Sequence, residues 1–132
     1  MITIGITGGV GAGKSTVLDF LEEKYQAYVM KADEIGHLVM EPGLPCYEPV
    51  IGLFGKQVIK NDKTIDRRQV SDVVFSHPGM LEKLNQIIHP AVKQYIRDQL
   101  AVKKQQGQKV CVVEAALLLE DHYQEFCDTI WY

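Results

Sequence analysis

The sequence predicts an α/β fold in which helices pack on a parallel β-sheet. Short apolar runs typical of strands alternate with longer stretches in which apolar residues recur at helical spacing. Parallel neighbours need crossover connections, which the helical stretches supply. The chain has 132 residues, of which 46% are hydrophobic and 23% charged, a composition that suits a single globular domain with its own core.

The first elements follow one another closely. The apolar run that begins at Ile2 predicts a buried strand ending at Gly8, and helical periodicity starts at Lys14. The segment from Ala27 to Asp33 predicts a second short strand that ends in a carboxylate, with a helix after it. Strand, glycine loop, helix and strand in this order predict the opening of a βαβ unit.

The middle of the chain is predicted to be mostly helical. Asp66, followed three residues later by Gln69, resembles a capping box at the start of one helix. The next helical stripe starts at Met80, is interrupted at His89-Pro90 and then resumes. We expect both apolar stripes to face the core, and an exposed turn at Asn61-Asp62.

Two more strands are predicted in the last quarter of the chain. Val110 to Val113 is a buried run that leads to Glu114, and the segment from Cys127 to Tyr132 begins a fourth strand. Because the sequence stops within that strand, we expect it to be a fragment whose fold is incomplete at the C-terminal end.

Charge and cysteine content exclude several classes of protein. The net charge of −3 argues against a general nucleic-acid binder, which needs a basic surface. The three cysteines show no metal-ligand or disulfide spacing, so reduced, buried thiols are expected. Neither a signal peptide nor a membrane span is apparent, which predicts a cytoplasmic protein without a membrane partner. The sequence does not indicate an oligomeric state.

The stretch GGVGAGKST matches the phosphate-loop pattern G-x-x-x-x-G-K-[ST] in full. Glycines let successive backbone N–H groups point at phosphate oxygens, and the following helix adds the positive end of its dipole. Lys14 can reach the β- and γ-phosphates, and the Ser15 hydroxyl can bind Mg²⁺. The predicted nucleotide-binding residues are Gly8, Gly9, Gly11, Ala12, Gly13, Lys14, Ser15 and Thr16. The fold is therefore predicted to be the three-layer phosphate-loop nucleoside triphosphate hydrolase-like fold.

Two carboxylates at predicted strand ends are further candidates for residues of the active site. Asp33 could accept the proton of an attacking substrate hydroxyl, or it could cap the helix that begins at Glu34. Glu114 could hold Mg²⁺ through water, or it could cap the next turn. The residues alone leave both pairs of alternatives open.

The chain resembles the dephospho-CoA kinase family. GITGGVGAGKST, KADEIGH, FGKQVI, TIDRRQV, IIHPAV and VVEAALLLE stand in the family's order and span essentially the whole chain. The resemblance implies transfer of phosphate from ATP to the ribose 3′-hydroxyl of dephospho-CoA, with Asp33 as catalytic base and Lys14 as the phosphate-binding lysine. It also implies an acceptor site against a helical insertion at about 35–106, which Asp66, Arg67 and His89 could help to form. From the residues alone, Asp66 could instead be only a helix cap, Arg67 a solvated side chain and His89-Pro90 a helix junction.

The chain departs from the family at two places. The family often has Asp-Ala-Asp where this chain has Lys31-Ala32-Asp33, which removes a carboxylate from position 31 and leaves the base. The family's helical lid and last strand are not present in the sequence. Two alternatives remain, namely a phosphate-loop kinase of another small hydroxyl compound such as a nucleoside monophosphate, and a GTPase-like switch, whose D-x-x-G pattern occurs at Asp33 to Gly36.

Overall fold

The computed structural model describes residues 1–7, 14–116, 118 and 121–131, without the side chains of residues 14 and 15. The elements in chain order are β1 (Ile2–Ile6), α1 (Lys14–Tyr25), β2 (Tyr28–Lys31), α2 (Ala32–Leu38), α3 (Tyr47–Phe54), α4 (Arg67–Ser76), α5 (Met80–Gln105), β3 (Val110–Glu114) and β4 (Thr129–Trp131), with 3₁₀ helices at Lys56–Val58 and Tyr123–Phe126. The chain divides into two compact units, one formed by Met1–Asp33 with Lys93–Tyr132 and the other by Glu34–Val92.

The first unit is built on a four-stranded sheet of order β2-β3-β1-β4, in which all three neighbouring pairs are parallel. The predicted α/β fold with a parallel sheet is thus confirmed. The second strand in the sheet, β3, supplies fully buried Cys111, Val112 and Val113, as expected for a strand covered on both faces.

One face of this sheet packs on α1. Ile4 and Ile6 alternate along β1 and join Val112 in a buried cluster with Leu18 and Leu21 of α1. The same helical spacing that predicts α1 therefore also places these leucines on the sheet.

The second half of α5 packs on the opposite face, beside β2. Tyr28 alternates with Val29, whose side chain packs against the α1 cluster. The Tyr28 hydroxyl donates to Gln99 Oε1 at 3.1 Å, and Lys103 Nζ lies 4.3 Å from the centre of the Tyr28 ring. Helices on both faces of the sheet give the predicted three layers.

The second unit, Glu34–Val92, is helical and has its own buried residues, among them Val50 and Val58. A single antiparallel bridge between Ile59 and Ile65 closes a turn, and the predicted exposed turn at Asn61-Asp62 lies at its tip. Asp62 Oδ1 accepts from the Thr64 N–H at 3.0 Å, and also from the Thr64 hydroxyl. These bonds lower the pKa of the Asp62 carboxyl.

The start of α4 is as the sequence predicts. Asp66 is the N-cap, and its Oδ1 accepts from the backbone N–H groups of Arg68 at 3.0 Å and Gln69 at 3.4 Å. The reciprocal bond of a full capping box does not form, because the Asp66 N–H donates to the carbonyl of Val58 instead.

Three expectations about individual helices and strands are wrong. The helix α5 runs unbroken for 26 residues with Pro90 inside it, because the apolar stripe keeps its phase across the proline and outweighs the lost backbone hydrogen bond. Phe75 on α4 is 86% exposed and Leu81 on α5 is 54% exposed, so the stripes do not face the core throughout. Asp33 is not a strand residue, because β2 ends at Lys31 and α2 begins at Ala32.

Candidate active site

The phosphate loop itself lies outside the described residues, which exclude residues 8–13 and the side chains of Lys14 and Ser15. Its two attachment points are described. The strand β1 ends at Ile6 in the interior of the sheet, and α1 begins at Lys14. Thr16, in the first turn of α1, is exposed. The motif therefore connects the carboxyl end of an interior strand to the N-terminus of a helix, the context that phosphate binding requires.

Thr7, the last described residue before the loop, is hydrogen-bonded to β4 on one side and to the turn after β3 on the other. Its N–H donates to the carbonyl of Trp131 at 3.1 Å, and its hydroxyl donates to the carbonyl of Ala116 at 3.2 Å. The Ala115 N–H donates in turn to the carbonyl of Ile6 at 3.1 Å. Sequence reasoning missed Thr7, because nothing in the local pattern distinguishes a threonine that anchors the loop.

Glu114 is the last residue of β3 and is only 8% exposed. It pairs in register with Ile6 on one side and with Lys31 on the other. Residues in register on parallel strands point to the same face, so Glu114 lies on the face that packs on α1. The strand register therefore places a carboxylate on the face and at the edge where the phosphate loop begins.

Asp33 is exposed and lies in the first turn of α2, one residue after the helix begins. It is therefore not the N-cap of a helix beginning at Glu34, which removes that alternative. Tyr123 is 2% exposed, and the pKa of its phenol is raised to about 12, first by burial and then by the carboxylates of Asp121 and Asp33. The Asp33 carboxylate thus lies close enough to this phenol to act on it electrostatically.

The three predicted acceptor residues lie in the helical unit and line different cavities. Asp66 lines an open cavity of about 510 Å³ and Arg67 another of about 340 Å³. Lys60 and Asp62 line both, so these two cavities adjoin. His89, half-buried on α5, lines a third cavity of about 530 Å³.

Arg67 shares its cavity with two other basic side chains, His37 and Lys60, and with the carboxylates of Glu41 and Asp62. No sequence motif singles out His37 or Lys60 as a ligand. The signal for them is three-dimensional, because α2, the turn at Asn61-Asp62 and the start of α4 come together only in the folded unit.

The remaining chemical groups give few further candidates. All three cysteines are free thiols, with Cys46 and Cys111 buried and Cys127 half-buried, and burial raises the pKa of each.

Within the described residues, no three His, Cys, Asp or Glu side chains cluster as metal ligands. Among the helices that the structure describes, none combines the length and apolar character needed to cross a membrane.

The D-x-x-G match of the GTPase-like alternative lies entirely within α2. A Cβ added at Gly36 would contact Ile88 at 3.6 Å and Val92 at 4.0 Å, so this glycine packs against α5 within the helical unit. Its position has a packing reason that is independent of a nucleotide switch.

Comparison with known proteins gives a consistent result. A chain of similar fold, in a crystal structure from Thermus thermophilus, has a TM-score of 0.76 and 29% identity and covers 97% of this chain. Dephospho-CoA kinase from Campylobacter jejuni has a TM-score of 0.77 at 22% identity and shares the fold. This chain covers 63% and 65% of those two chains respectively.

Curated relatives agree with the structural ones. The dephospho-CoA kinase of Lactobacillus johnsonii is 35% identical over 127 residues, and that of Dehalococcoides mccartyi is 37% identical over 131 residues. The chain spans 64% and 65% of the length of these relatives. A sequence model of the dephospho-CoA kinase family matches residues 2–132. The chain therefore belongs to the dephospho-CoA kinase family.

Proposed function

We propose that the full-length protein transfers the γ-phosphoryl group of ATP to the ribose 3′-hydroxyl of dephospho-CoA, giving coenzyme A and ADP in the cytoplasm. The observation that carries the proposal is the family match over residues 2–132, which includes a complete phosphate-loop motif between β1 and α1. This is the last step of coenzyme A biosynthesis. The acceptor is a small molecule, and no nucleic-acid or membrane partner is proposed.

Gly8 to Thr16 would hold the nucleotide through backbone N–H groups and the N-terminus of α1. Lys14 would stabilise the charge that develops on the transferred phosphoryl group. The Ser15 hydroxyl and the Glu114 carboxylate offer the oxygen donors that Mg²⁺ prefers, and Glu114 stands at the loop edge of the sheet. Bound Mg²⁺ would neutralise phosphate charge in this reaction.

Asp33 would accept the proton of the 3′-hydroxyl as that oxygen attacks phosphorus. Its exposure leaves the carboxylate accessible to a substrate. The role is that of the general base in phosphoryl transfer.

Arg67 would contribute to acceptor binding together with Lys60 and His37. These side chains line one cavity with the carboxylates of Glu41 and Asp62, which offset their charge, and the planar donors of Arg67 suit an anionic portion of the acceptor. Asp66 would take part from the adjoining cavity and His89 from a separate one on α5. For Asp66 the carboxylate already accepts two backbone hydrogen bonds, so its contribution would be to hold the start of α4 in place.

The activity is tested with full-length protein, ATP and Mg²⁺ against dephospho-CoA, adenylate and shikimate. We expect kcat/KM to be highest by orders of magnitude for dephospho-CoA. Faster phosphorylation of adenylate or shikimate would favour the alternative kinase. A GTPase-like protein would hydrolyse GTP in preference to ATP and phosphorylate none of the acceptors.

Substitution of the two catalytic candidates separates binding from chemistry. Lys14→Ala should lower kcat by orders of magnitude in a folded protein, because a transition-state charge contact is lost. Asp33→Asn should lower kcat by about 10²- to 10⁴-fold, the usual cost of losing a general base. The matched control is Asp19→Asn, which alters an exposed carboxylate of α1 and should leave kcat unchanged. Full turnover by folded Asp33→Asn protein would contradict the proposed base.

A further inference from the structure

Lys31 places a positive charge at the carboxyl ends of the strands, where the phosphate loop also begins. It is the last residue of β2, it is exposed, and it pairs in register with Glu114 of β3. Glu114 pairs in register with Ile6, the last residue of β1. Lys31, Glu114 and Ile6 therefore form one row at the carboxyl ends of three adjacent strands.

The row lies on the face of the sheet that packs on α1. Side chains alternate along a strand, so Lys31 points to the same face as Val29, two residues before it. Val29 packs against the cluster that contains Ile4, Ile6 and the leucines of α1. Because α1 begins beyond the carboxyl end of β1, its N-terminus lies at this same edge.

The distance from Lys31 to the start of the loop follows from the strand spacing. Neighbouring strands are about 4.8 Å apart, so two steps across the sheet place Lys31 about 10 Å from the end of β1. Its flexible four-carbon stem carries the ammonium into solvent at that edge. At a separation of this order, a charge acts on a nucleotide polyphosphate through its electrostatic field.

We propose that Lys31 is a specificity-determining residue that raises the affinity of the site for the more highly charged, metal-free form of the nucleotide. The inference rests on the proposed nucleotide site. Metal-free ATP carries about four negative charges and MgATP about two, and the interaction with a fixed cation scales with the charge of the ligand. Lys31 therefore reduces the ratio of the affinity for MgATP to the affinity for metal-free ATP. The negative charge of Glu114, its neighbour in register, has the opposite effect on this ratio.

The scaling gives quantitative expectations for binding. In about 10 mM salt, Lys31→Met should weaken binding of metal-free ATP by about five- to tenfold, from Coulomb's law at about 10 Å in water. Binding of MgATP should weaken by only about two- to threefold, the square root of the loss for metal-free ATP, because MgATP carries half the charge. Lys31→Asp changes the site by two charges, so each factor should be about squared, and at 0.15 M salt all factors should shrink.

The experiment is isothermal titration calorimetry of full-length protein, without acceptor, with ATP in EDTA and with ATP in excess Mg²⁺. Lys31→Arg retains the charge and should bind both forms like the unmodified protein. Lys109→Met is the matched control, because Lys109 is an exposed lysine just before β3, at the opposite edge of the sheet. It should leave both affinities unchanged. Circular dichroism establishes that each variant is folded.

The outcomes separate this inference from the proposed function. Larger losses for ATP than for MgATP, reduced by salt and absent in Lys31→Arg, support the inference. Equal losses for both forms, or a loss in Lys31→Arg as large as in Lys31→Met, overturn it, because a field effect predicts neither. Normal nucleotide binding with no change in Lys31→Met overturns the inference alone. Absence of nucleotide binding by the unmodified protein overturns the proposed function and this inference with it.

Discussion

Gly5, in the middle of β1, is a position where a single added methyl group should be costly. A Cβ built there lies 2.7 Å from Cys127 Sγ and 3.2 Å from Leu118 Cδ1, whereas ordinary contacts are at 3.4–4 Å. Both contacts come from the segment that leads into β4. Gly5 is therefore required for the close approach of this segment to the sheet.

The cost of Gly5→Ala follows from how little Cys127 can move. Its N–H donates to the carbonyl of Gln124 at 3.0 Å, and its thiol lies 3.5 Å from the carbonyl of Tyr123. The clash must be relieved by shifting this segment or β1, each of which is hydrogen-bonded. Overpacking of this kind costs about 1–3 kcal/mol, and we expect the upper half of that range.

The assay is chemical denaturation followed by far-UV circular dichroism and by fluorescence of Trp131, the single tryptophan. Gly5→Ala, Cys127→Ala and the double variant form a cycle. Cys127→Ala removes the closest atom, so the double variant should be more stable than the two single changes predict, by about 0.5–3 kcal/mol. Gly52→Ala is the control, because nothing lies within 4 Å of a Cβ there and α3 should gain about 0.5–1 kcal/mol.

The reasoning would be refuted if Gly5→Ala were as stable as the unmodified protein. It would also fail if the two single changes were simply additive, since the loss would then arise elsewhere than at the contact with Cys127. Destabilisation by Gly52→Ala would show that glycine substitution is costly in this chain for reasons other than the measured contacts.

The remaining predictions concern Asp66 and Tyr123. Asp66→Ala should lower the free energy of unfolding by about 0.5–2 kcal/mol through loss of the α4 cap, whereas Asp66→Asn should retain it, as measured by denaturation; equal losses would contradict the cap. Tyr123 keeps its proton to about pH 12 when folded but only to about pH 10 when unfolded, so stability should fall between these values. Tyr123→Phe should reduce that fall, and the remainder should come from Tyr28 and Cys127, whose pKa values are also raised. Asp33→Asn should lower the pKa of the Tyr123 phenol, measured by NMR of ¹³C-labelled tyrosine, and an unchanged pKa would contradict the proximity of the two groups.

Much of the fold could be predicted because its signals are local. Apolar runs mark β1, β3 and β4, and the Asp66 cap can be identified from four consecutive residues. The errors arise where a local rule competes with a longer pattern. Pro90 is a helix breaker by itself, but the apolar stripe on both sides of it keeps α5 continuous.

The candidate site likewise contains residues that the local sequence identifies and residues that only the folded chain brings together. The phosphate loop is contiguous and therefore identifiable, and so is the carboxylate at the end of β3. The placement of Lys31 beside Glu114 could not be predicted, because it depends on the register between two strands that are far apart in the chain. The cavity around Arg67 is likewise formed by residues from three separate segments.

The anchoring of β4 to β1 has a consequence for how the molecule folds. Asp128 accepts from the Thr3 N–H at 2.8 Å and returns a bond from its own N–H to the Thr3 carbonyl at 2.7 Å, across a separation of 125 residues. The pairing of β1 with β3 also joins opposite ends of the sequence. During synthesis on the ribosome, β1 thus emerges long before β3 and β4, its two neighbours in the sheet. Closing such long loops slows sheet assembly, and until the loops close the apolar residues of β1 are exposed in a way that favours aggregation.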